Sequence, residues 1–313
     1  MKMNQTWKKH GIDIRPGMRI KGKWHKKTYL IKKTLGQGAV GTVYLCEYQG
    51  KQAALKISDK SSSMTTEVNV LKSLQKVQGN RLGPYLLDVD DWEAPNGMKF
   101  TFYVMEYLQG ETISTFIKAN GGEWVGVFML QILEDLEKLH RSGWVFGDFK
   151  TENLLVVSSP TRIRWIDVGG TTQVGRAIKE YTEFYDRGYW TMGSRKAEPS
   201  YDLFALVMVI LTIYYPRRFE KGPKPEVTLL NKLNEVKQLK IYRDCLKKAI
   251  YGKYQSSAEM KQEVAATLYR VQRTRQQRKG TDAKETSKRP LLIETGSIFF
   301  IALFYYVFSL FLP

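Results

Sequence analysis

Four polar residues near the middle of the chain lie in otherwise hydrophobic surroundings. Asp148, Lys150 and Asn153 lie together just before an apolar run, and Asp167 ends a second apolar run. Two short β-type runs with a turn between them predict a hairpin, which would bring Asn153 and Asp167 side by side. Oxygen ligands at one place suit Mg²⁺, which proteins bind through one or two carboxylates plus substrate phosphates. Asp148 would remain to accept a proton, so the pattern calls for a phosphate donor.

A glycine-rich segment early in the chain offers a place for that donor. The strand-type run Tyr29–Leu35 leads into Gly36–Val43, which has the pattern Gly-x-Gly-x-x-Gly, and a second strand-type run, Thr42–Glu47, follows at once. Glycines that close a hairpin let backbone N–H groups come close to phosphates. A dinucleotide-binding fold needs a helix directly after its glycines, so the order strand, loop, strand points away from that fold.

Two charged residues after the glycine segment lie in apolar surroundings. Lys56 lies in the strand-type run Gln52–Ile57, and Glu67 heads an apolar stripe with helical spacing. An inward-facing Glu67 could pair with Lys56 in the cleft below the glycines. Each residue also has an ordinary interpretation, as an exposed lysine on a strand or as a glutamate favoured by the dipole of the first helical turn.

The following segments supply the framework. Tyr85–Asp91 and Lys99–Met105 have strand character, and the β signal stops in Glu106–Gly110, which we predict to connect two lobes. Helical spacing then appears in Glu123–His140, where His140 is more typical of a structural residue than of a catalytic one.

Taken in order, these segments resemble a eukaryotic-like (Hanks-type) protein kinase over residues 29–278. The resemblance implies an α+β, bilobal protein-kinase fold with a small β-rich N-lobe at residues 29–106 and a larger helical C-lobe at residues 107–278. It implies ATP and Mg²⁺ as cofactors and Ser or Thr hydroxyls of protein substrates as acceptors. The run Tyr201–Leu206 resembles the helix whose aspartate anchors the catalytic loop.

The resemblance also implies roles for the residues that match the motifs. Asp148 would accept or orient the proton of the acceptor hydroxyl, and Lys150 would neutralise the γ-phosphoryl charge as it moves. Asn153 and Asp167 would hold Mg²⁺. Thr182 lies where such kinases place a threonine against the catalytic aspartate and lysine, and Thr171, Thr172 and Thr182 are candidates for autophosphorylation.

A larger set would bind the nucleotide. Lys56 would grip the α- and β-phosphates and pair with Glu67, Met105 would be the gatekeeper, and the backbone of Glu106 and Leu108 would hold adenine. The full set comprises Gly36, Gln37, Gly38, Ala39, Val40, Gly41, Val43, Ala54, Lys56, Glu67, Met105, Glu106 and Leu108.

The chain departs from the family pattern at three places. His-Arg-Asp is replaced by Phe146-Gly147-Asp148, Asp-Phe-Gly is replaced by Asp167-Val168-Gly169, and Ala-Pro-Glu has no clear match, with Gly188–Gly193 near its place. Gly147 removes the arginine that usually grips an activation-loop phosphate, so we do not expect regulation through that contact. Two alternatives stay open: a small-molecule phosphotransferase similar to the aminoglycoside kinases, and a pseudokinase scaffold.

The charge balance predicts an anionic partner. The 313 residues carry 49 Lys and Arg against 31 Asp and Glu, a formal net charge of +18, while 43% hydrophobic residues exclude wholesale disorder. Residues 1–28 read as a basic arm, and residues 232–289 hold sixteen basic residues against six acidic ones. Candidate partners are DNA, bound without sequence specificity, and an anionic membrane. A dimer stays open. The two cysteines lie in no metal-binding spacing.

The carboxy terminus predicts a membrane anchor. After a basic and polar juxtamembrane linker, residues 279–294, the 19 residues of 295–313 carry no charge. At about 1.5 Å per residue they span roughly 28 Å as a helix, close to a bilayer core of about 30 Å. We expect a single-pass C-terminal transmembrane helix in the cell membrane, with the kinase domain held in the cytoplasm by its basic flank. A docked core helix and an interfacial helix are the alternatives. The layout resembles the small membrane-anchored kinases of spore-forming bacilli.

Overall fold

The small lobe consists of one antiparallel sheet, with strands of different lengths, and one helix. The computed structural model describes residues 14–38, 40–75 and 83–282, the last eight through their backbone alone. The elements of the small lobe are β1 (Arg19–Lys21), β2 (Thr28–Gln37), β3 (Thr42–Tyr48), β4 (Lys51–Ser58), α1 (Ser61–Gln75), β5 (Leu86–Glu93) and β6 (Lys99–Glu106). The sheet has six strands in the order β1-β2-β3-β4-β6-β5.

The register of this sheet places the nucleotide-binding candidates on neighbouring strands. Val43 of β3 pairs with Lys56 of β4, and Ala54 of β4 pairs with Met105 of β6. Because side chains alternate between the two faces of a strand, Ala54 and Lys56 project from the same face. The glycine segment closes the β2–β3 hairpin, as its pattern predicts.

The described part of the basic arm is folded onto the small lobe. β1 pairs with β2, and Ile14 and Ile20 are buried in the same apolar cluster as Tyr29. The turn that follows β1 is fixed to β5, because the Asp90 carboxylate accepts the backbone N–H of Trp24 and of the next residue, each at 2.8 Å. Residues 14–28 therefore contribute a strand and core contacts. Residues 1–13 lie outside the described part of the chain.

The larger lobe is helical, with two short pairs of strands in its described part, β7 with β10 and β8 with β9. Its elements are α2 (Ile113–Asn120), α3 (Trp124–Arg141), β7 (Trp144–Val145), β8 (Leu154–Ser158), β9 (Thr161–Trp165), β10 (Thr172–Gln173), α4 (Pro199–Tyr214), α5 (Pro225–Glu235), α6 (Arg243–Ile250) and α7 (Ser257–Asp282). Nearly every residue of α4 is buried, which is typical of a helix surrounded on all sides. The predicted bilobal arrangement is confirmed, with residues 107–112 as the connection between the lobes.

The carboxy-terminal end of the lobe carries the exposed basic residues. α7 continues to Asp282, past the predicted start of the linker at residue 279, and Arg270 and Arg273 are exposed on it. None of the helices within the described residues combines the length and the hydropathy of a membrane-spanning segment. The predicted anchor, residues 295–313, lies outside that part.

Candidate active site

A buried ion pair joins the sheet of the small lobe to its helix. Lys56 Nζ of β4 lies 2.7 Å from Glu67 Oε2 of α1, with side chains only 7% and 3% exposed. The Tyr103 hydroxyl donates to the same oxygen at 2.8 Å. Burial alone would lower the pKa of Lys56, but the charges of Asp167 and Glu67 outweigh it and raise that pKa. Lys56 is therefore a fixed cation in the cleft, because a buried charge is tolerated only when it is paired and hydrogen-bonded.

Asp167 lies at the open side of this pair. Its Oδ1 is 3.7 Å from Lys56 Nζ and accepts the backbone N–H of Gly169 at 3.0 Å, and its side chain is 49% exposed. A Cβ atom at Gly169 would lie closer than 3.0 Å to Glu67 Oε1, so a side chain there would require the buried Glu67 carboxylate to shift. The loop and the helix of the small lobe are thereby packed against each other.

The β8–β9 hairpin brings the two metal-binding candidates together. Leu154 pairs with Trp165, and the next backbone bond runs from Ile166 N–H to Asn153 O at 3.0 Å, so Asn153 and Asp167 flank the open end of the hairpin. Asn153 Nδ2 donates to Asp148 O at 2.9 Å. Oδ1 is then the atom that Asn153 can offer to a cation. An amide oxygen beside a half-exposed carboxylate is a donor set that fits Mg²⁺.

The catalytic candidates surround a hydroxyl group. Lys150 Nζ contacts Asp148 Oδ2. The Thr182 hydroxyl donates to Asp148 Oδ1 at 2.9 Å and accepts from Lys150 Nζ at 3.2 Å. The aspartate and the lysine thus already hold an alcohol oxygen between them, which is the arrangement that a Ser or Thr acceptor requires.

Asp202 of α4 anchors the catalytic loop through hydrogen bonds to its backbone. It is fully buried and accepts the backbone N–H of Phe146 at 2.8 Å and that of Gly147 at 3.0 Å. His140 Nε2 lies 2.8 Å from Asp202 Oδ2, and its Nδ1 lies 3.0 Å from the hydroxyl of Ser257 at the start of α7. His140 therefore links three helices, which is the structural role expected for it.

The glycine at position 147 follows from a close backbone contact. Gly147 has φ +79°, and a Cβ there would lie closer than 3.0 Å to Gly170 O. A Cβ at Gly170 would in turn lie 2.7 Å from the Cβ of Asp148. Any side chain at position 147, including the arginine of the family pattern, is excluded unless the backbone moves.

The glycine segment differs in function from one glycine to the next. A Cβ at Gly36 would meet nothing within 4 Å, and one at Gly38 would meet only Gly41 O at 3.8 Å, so the described residues leave space beside both glycines, although the Gly38 N–H already donates to Gly41 O at 2.9 Å. Gly41 has a packing reason instead, because a Cβ there would collide with Ile57 O. Val40 O accepts from the Ser58 hydroxyl, which ties the loop to β4. Ala39 lies outside the described residues, and Gln37 is exposed at the end of β2.

The end of β6 provides the groups expected to hold adenine. Met105 is buried at the back of the cleft. In the described part of the chain the backbone N–H of Leu108 donates to no other group, so it is available to a ring nitrogen. The Glu106 carboxylate is already engaged, since it accepts from Arg164 at 2.9 Å and from the backbone N–H of Tyr85 at 3.2 Å. Glu106 could therefore contribute to adenine binding only through its backbone.

Sequence reasoning missed three residues around the site. Tyr103 supports Glu67, as described above. Glu180 lies among the cleft charges: reduced solvation and the charge of Glu67 raise its pKa. Asp186 is fully buried and accepts from Arg195 Nε at 2.8 Å and from the Tyr201 hydroxyl at 2.9 Å. The available signal was the position of Asp186 in an aromatic stretch.

Comparisons with known proteins agree with this geometry. A family model described as protein kinase domain matches residues 29–289. The serine/threonine-protein kinase YabT of Bacillus subtilis (strain 168) is 44% identical over 297 residues, which covers 95% of this chain and 88% of that protein. The sporulation protein kinase mde3 of Schizosaccharomyces pombe is 26% identical over 229 residues, which covers 66% of this chain and 41% of that protein.

Proposed function

Since the chain belongs to the protein kinase family and is a serine/threonine protein kinase, we propose that it transfers the γ-phosphoryl group of ATP to protein hydroxyls while tethered to a membrane. The observation that carries the catalytic part is the alcohol oxygen held between Asp148 and Lys150. A substrate hydroxyl takes that position when Thr182 moves aside or shares it. The fixed cation Lys56 lies on the other side of the cleft.

The proposed catalytic and binding residues act by positioning the reactants and by stabilising charge. Asp148 orients the acceptor hydroxyl and receives its proton, and Lys150 stabilises the charge that develops on the transferred group. Lys56 binds the α- and β-phosphates, and Glu67 keeps its ammonium in place. Asn153 and Asp167 are the residues that would hold Mg²⁺, which supplies charge neutralisation at the phosphates.

A radiolabel transfer assay tests the catalytic proposal. The full-length protein with Mg²⁺ and [γ-³²P]ATP should label itself or a protein acceptor, and Asp148→Asn should lower the rate by about 10²–10⁴-fold, the usual contribution of a general base. Equal background labelling by both proteins would favour the pseudokinase scaffold. Labelling of aminoglycosides without labelling of protein would favour the small-molecule phosphotransferase, although a protein kinase model and a serine/threonine kinase relative both speak against that alternative.

The membrane part of the proposal rests on residues 295–313. This uncharged stretch has the length of a spanning helix, and the basic residues before it favour a cytoplasmic kinase domain. The full-length protein should stay in the membrane fraction after alkaline carbonate extraction, whereas a version that ends at residue 290 should be released. Release of both versions would contradict the anchor.

An anionic partner is the proposed regulator. The exposed Arg270 and Arg273 begin the densest basic section of the chain, and further basic residues follow up to residue 289. If duplex DNA binds there and Z of its phosphates are neutralised, a plot of log binding constant against log salt concentration should have a slope of about −0.9Z. If an anionic lipid surface binds, each nearby basic residue contributes about 1 kcal/mol.

Two titrations separate these partners. The version that ends at residue 290 is tested by gel shift with DNA at several salt concentrations and by flotation with anionic liposomes. Binding with a steep salt dependence supports the partner in which it is observed, and its effect on the labelling rate tests regulation. Absence of binding in both titrations would remove the regulatory proposal and leave the catalytic one.

A further inference from the structure

Two arginine side chains lie near the place where the acceptor hydroxyl binds, and each contacts an aromatic ring. The guanidinium of Arg195 lies 4.2 Å from the ring centre of Tyr181, and that of Arg218 lies 5.4 Å from the ring centres of Phe184 and Tyr185. Their side chains are 41% and 39% exposed. Each guanidinium also pairs with a carboxylate, Arg195 with Asp186 at 2.7 Å and Arg218 with Glu152 at 2.7 Å. The N–H groups outside these pairs are those that can bind a further planar anion such as a carboxylate.

Both stacks are close to the reacting groups. Tyr181 immediately precedes Thr182, whose hydroxyl bonds to Asp148 and Lys150. Arg218 reaches the catalytic loop itself, because its NH2 group donates to Glu152 Oε1 at 2.7 Å. A substrate segment whose hydroxyl points at the catalytic pair would therefore come close to both arginines.

Arg218 also neutralises the carboxylate that a basic substrate would use. The side chain of Glu152 is half exposed, two residues after Lys150. Its Oε1 accepts from Arg218 at 2.7 Å, and its Oε2 accepts from the Thr151 hydroxyl at 2.9 Å. Both carboxylate oxygens are therefore engaged, so an incoming lysine or arginine would have to displace Arg218.

The conformation of Arg218 is held by its own segment. Its φ is +58°, a left-handed value, and its backbone N–H donates to Tyr215 O at 2.9 Å. The next residue, Phe219, packs its ring 5.1 Å from that of Phe184. Arg218 is therefore positioned before a substrate arrives, which reduces the entropy lost on binding.

The two chain segments that carry these arginines have a net positive charge. Residues 216–224 contain four basic side chains and one glutamate. Residues 176–196 contain five basic and three acidic side chains, and one of those three, Asp186, is fully buried against Arg195. Lys221 of the first segment lies over the ring of Tyr189 of the second at 4.8 Å, so a third cation borders the same surface.

We propose that the surface formed by Arg195, Arg218 and Lys221 selects acceptor Ser or Thr residues whose sequence neighbours carry acidic side chains. This inference rests on the proposed function and adds its substrate class. Next to the catalytic loop, Arg218 determines this preference. It places a cation there, and it pairs with the carboxylate of Glu152.

Three acceptor peptides test the inference. They share one Ser and differ only in having Asp, Gln or Lys at the flanking positions, and kcat/KM is measured for each with the full-length protein. The Asp peptide should exceed the Lys peptide by about tenfold or more, as expected when complementary charge is replaced by like charge. Added salt should reduce the ratio, because exposed charges are screened.

Matched variants assign the preference. Arg218→Gln should reduce the Asp-to-Lys ratio to about threefold or less, because it removes one favourable charge and exposes Glu152. Glu152→Gln should keep or increase the wild-type ratio. Arg217→Gln, a change of the adjacent exposed arginine, is the control and should leave the ratio at the wild-type value. Thermal unfolding of each variant identifies any loss of folding.

The outcomes separate this inference from the function on which it rests. A Lys peptide used as well as or better than the Asp peptide would overturn the inference while leaving kinase activity established. So would an Arg218→Gln protein that is folded and keeps the full wild-type ratio. A protein that labels neither itself nor any peptide would overturn the proposed function, and the substrate preference with it.

Discussion

The hydroxyl of Tyr103 donates to Glu67 Oε2 at 2.8 Å, across 36 residues of sequence. Glu67 thus receives a phenol from β6 and the Lys56 ammonium from β4, which fixes the rotation of α1 relative to the sheet. Burial raises the pKa of Tyr103 well above its usual value, with the charge of Glu67 adding to it, so the phenol remains a donor. The position of Lys56 in the cleft therefore depends on contacts from three elements.

Removing one partner of this pair should harm stability and activity by different amounts. Lys56→Met leaves a buried carboxylate unpaired, which should cost about 3–5 kcal/mol of the free energy of unfolding. The rate of phosphoryl transfer should fall by at least about 10²-fold, as for loss of a preorganised charge. The double change Lys56→Met with Glu67→Gln should recover much of the stability but none of the activity. Thermal unfolding and ³²P incorporation measure the two effects, and a double variant as unstable as the single one would contradict the account.

Placing a side chain at position 147 should displace the catalytic loop. Gly147→Ala must adopt a left-handed φ, at about 1–3 kcal/mol, and must also move Gly170 O. Gly175→Ala is the control, because Gly175 has φ +87° but its Cβ would meet nothing within 4 Å. We expect Gly147→Ala to be the less stable variant and to lower kcat by about tenfold or more, whereas Gly175→Ala shows only the strain. Equal unfolding temperatures and equal kcat values for the two variants would show that the contact with Gly170 is not restrictive.

Loss of the buried carboxylate at Asp186 should weaken binding of the protein substrate in particular. Asp186 accepts from Arg195 and from Tyr201, and Tyr201 is adjacent to Asp202 in α4. Asp186→Asn should raise KM for a protein acceptor by about tenfold while KM for ATP stays within about twofold, because the loop beyond Thr182 loses its support. Tyr201→Phe removes one neutral hydrogen bond and should have a smaller effect. Parallel changes in both KM values would assign Asp186 a general structural role.

The stability of the larger lobe should depend on the proton of Asp135. Burial raises the pKa of Asp135 to about 6, although the charge of Arg162, at 2.7 Å, opposes this. A carboxyl that holds its proton more tightly in the folded state contributes stability below its unfolded pKa and loses that contribution as the pH rises to about 6. Relative to Asp135→Asn, the wild type should therefore lose about 1–3 kcal/mol between pH 4 and pH 6.5.

The neighbouring residue provides a control of opposite sign. Burial alone would raise the pKa of Glu134, but the hydrogen bonds and charges of Lys138 and Lys261 lower it. Its contribution should therefore grow as the pH rises from the lowered folded-state pKa to the unfolded value of 4.5 and stay constant above it, so wild type minus Glu134→Gln should slope upward below that pH. Urea unfolding of the three proteins at several pH values measures both differences. Slopes of the same sign would contradict the assignment of either group.

The geometry of the candidate site was largely predictable from local sequence. Three features depend on residues that are neighbours in the chain: the glycine hairpin, Lys56 on β4 and the β8–β9 hairpin. The spacing of these residues therefore predicts their geometry. The hairpin register places Asn153 beside Asp167 as expected. The family resemblance added the roles of these residues, and the comparisons established the family and its Ser/Thr kinase activity.

The tertiary structure decided which polar residues are buried and what they touch. Asp186 and Glu152 both look like loop carboxylates in the sequence, yet one is enclosed by Arg195 and Tyr201 and the other is paired with Arg218, 66 residues away. Likewise, the reason for glycine at position 147 is a carbonyl 23 residues further on, that of Gly170. Such contacts join segments whose separation in sequence carries no periodic signal, and burial of a polar group is settled by the partners that packing brings to it.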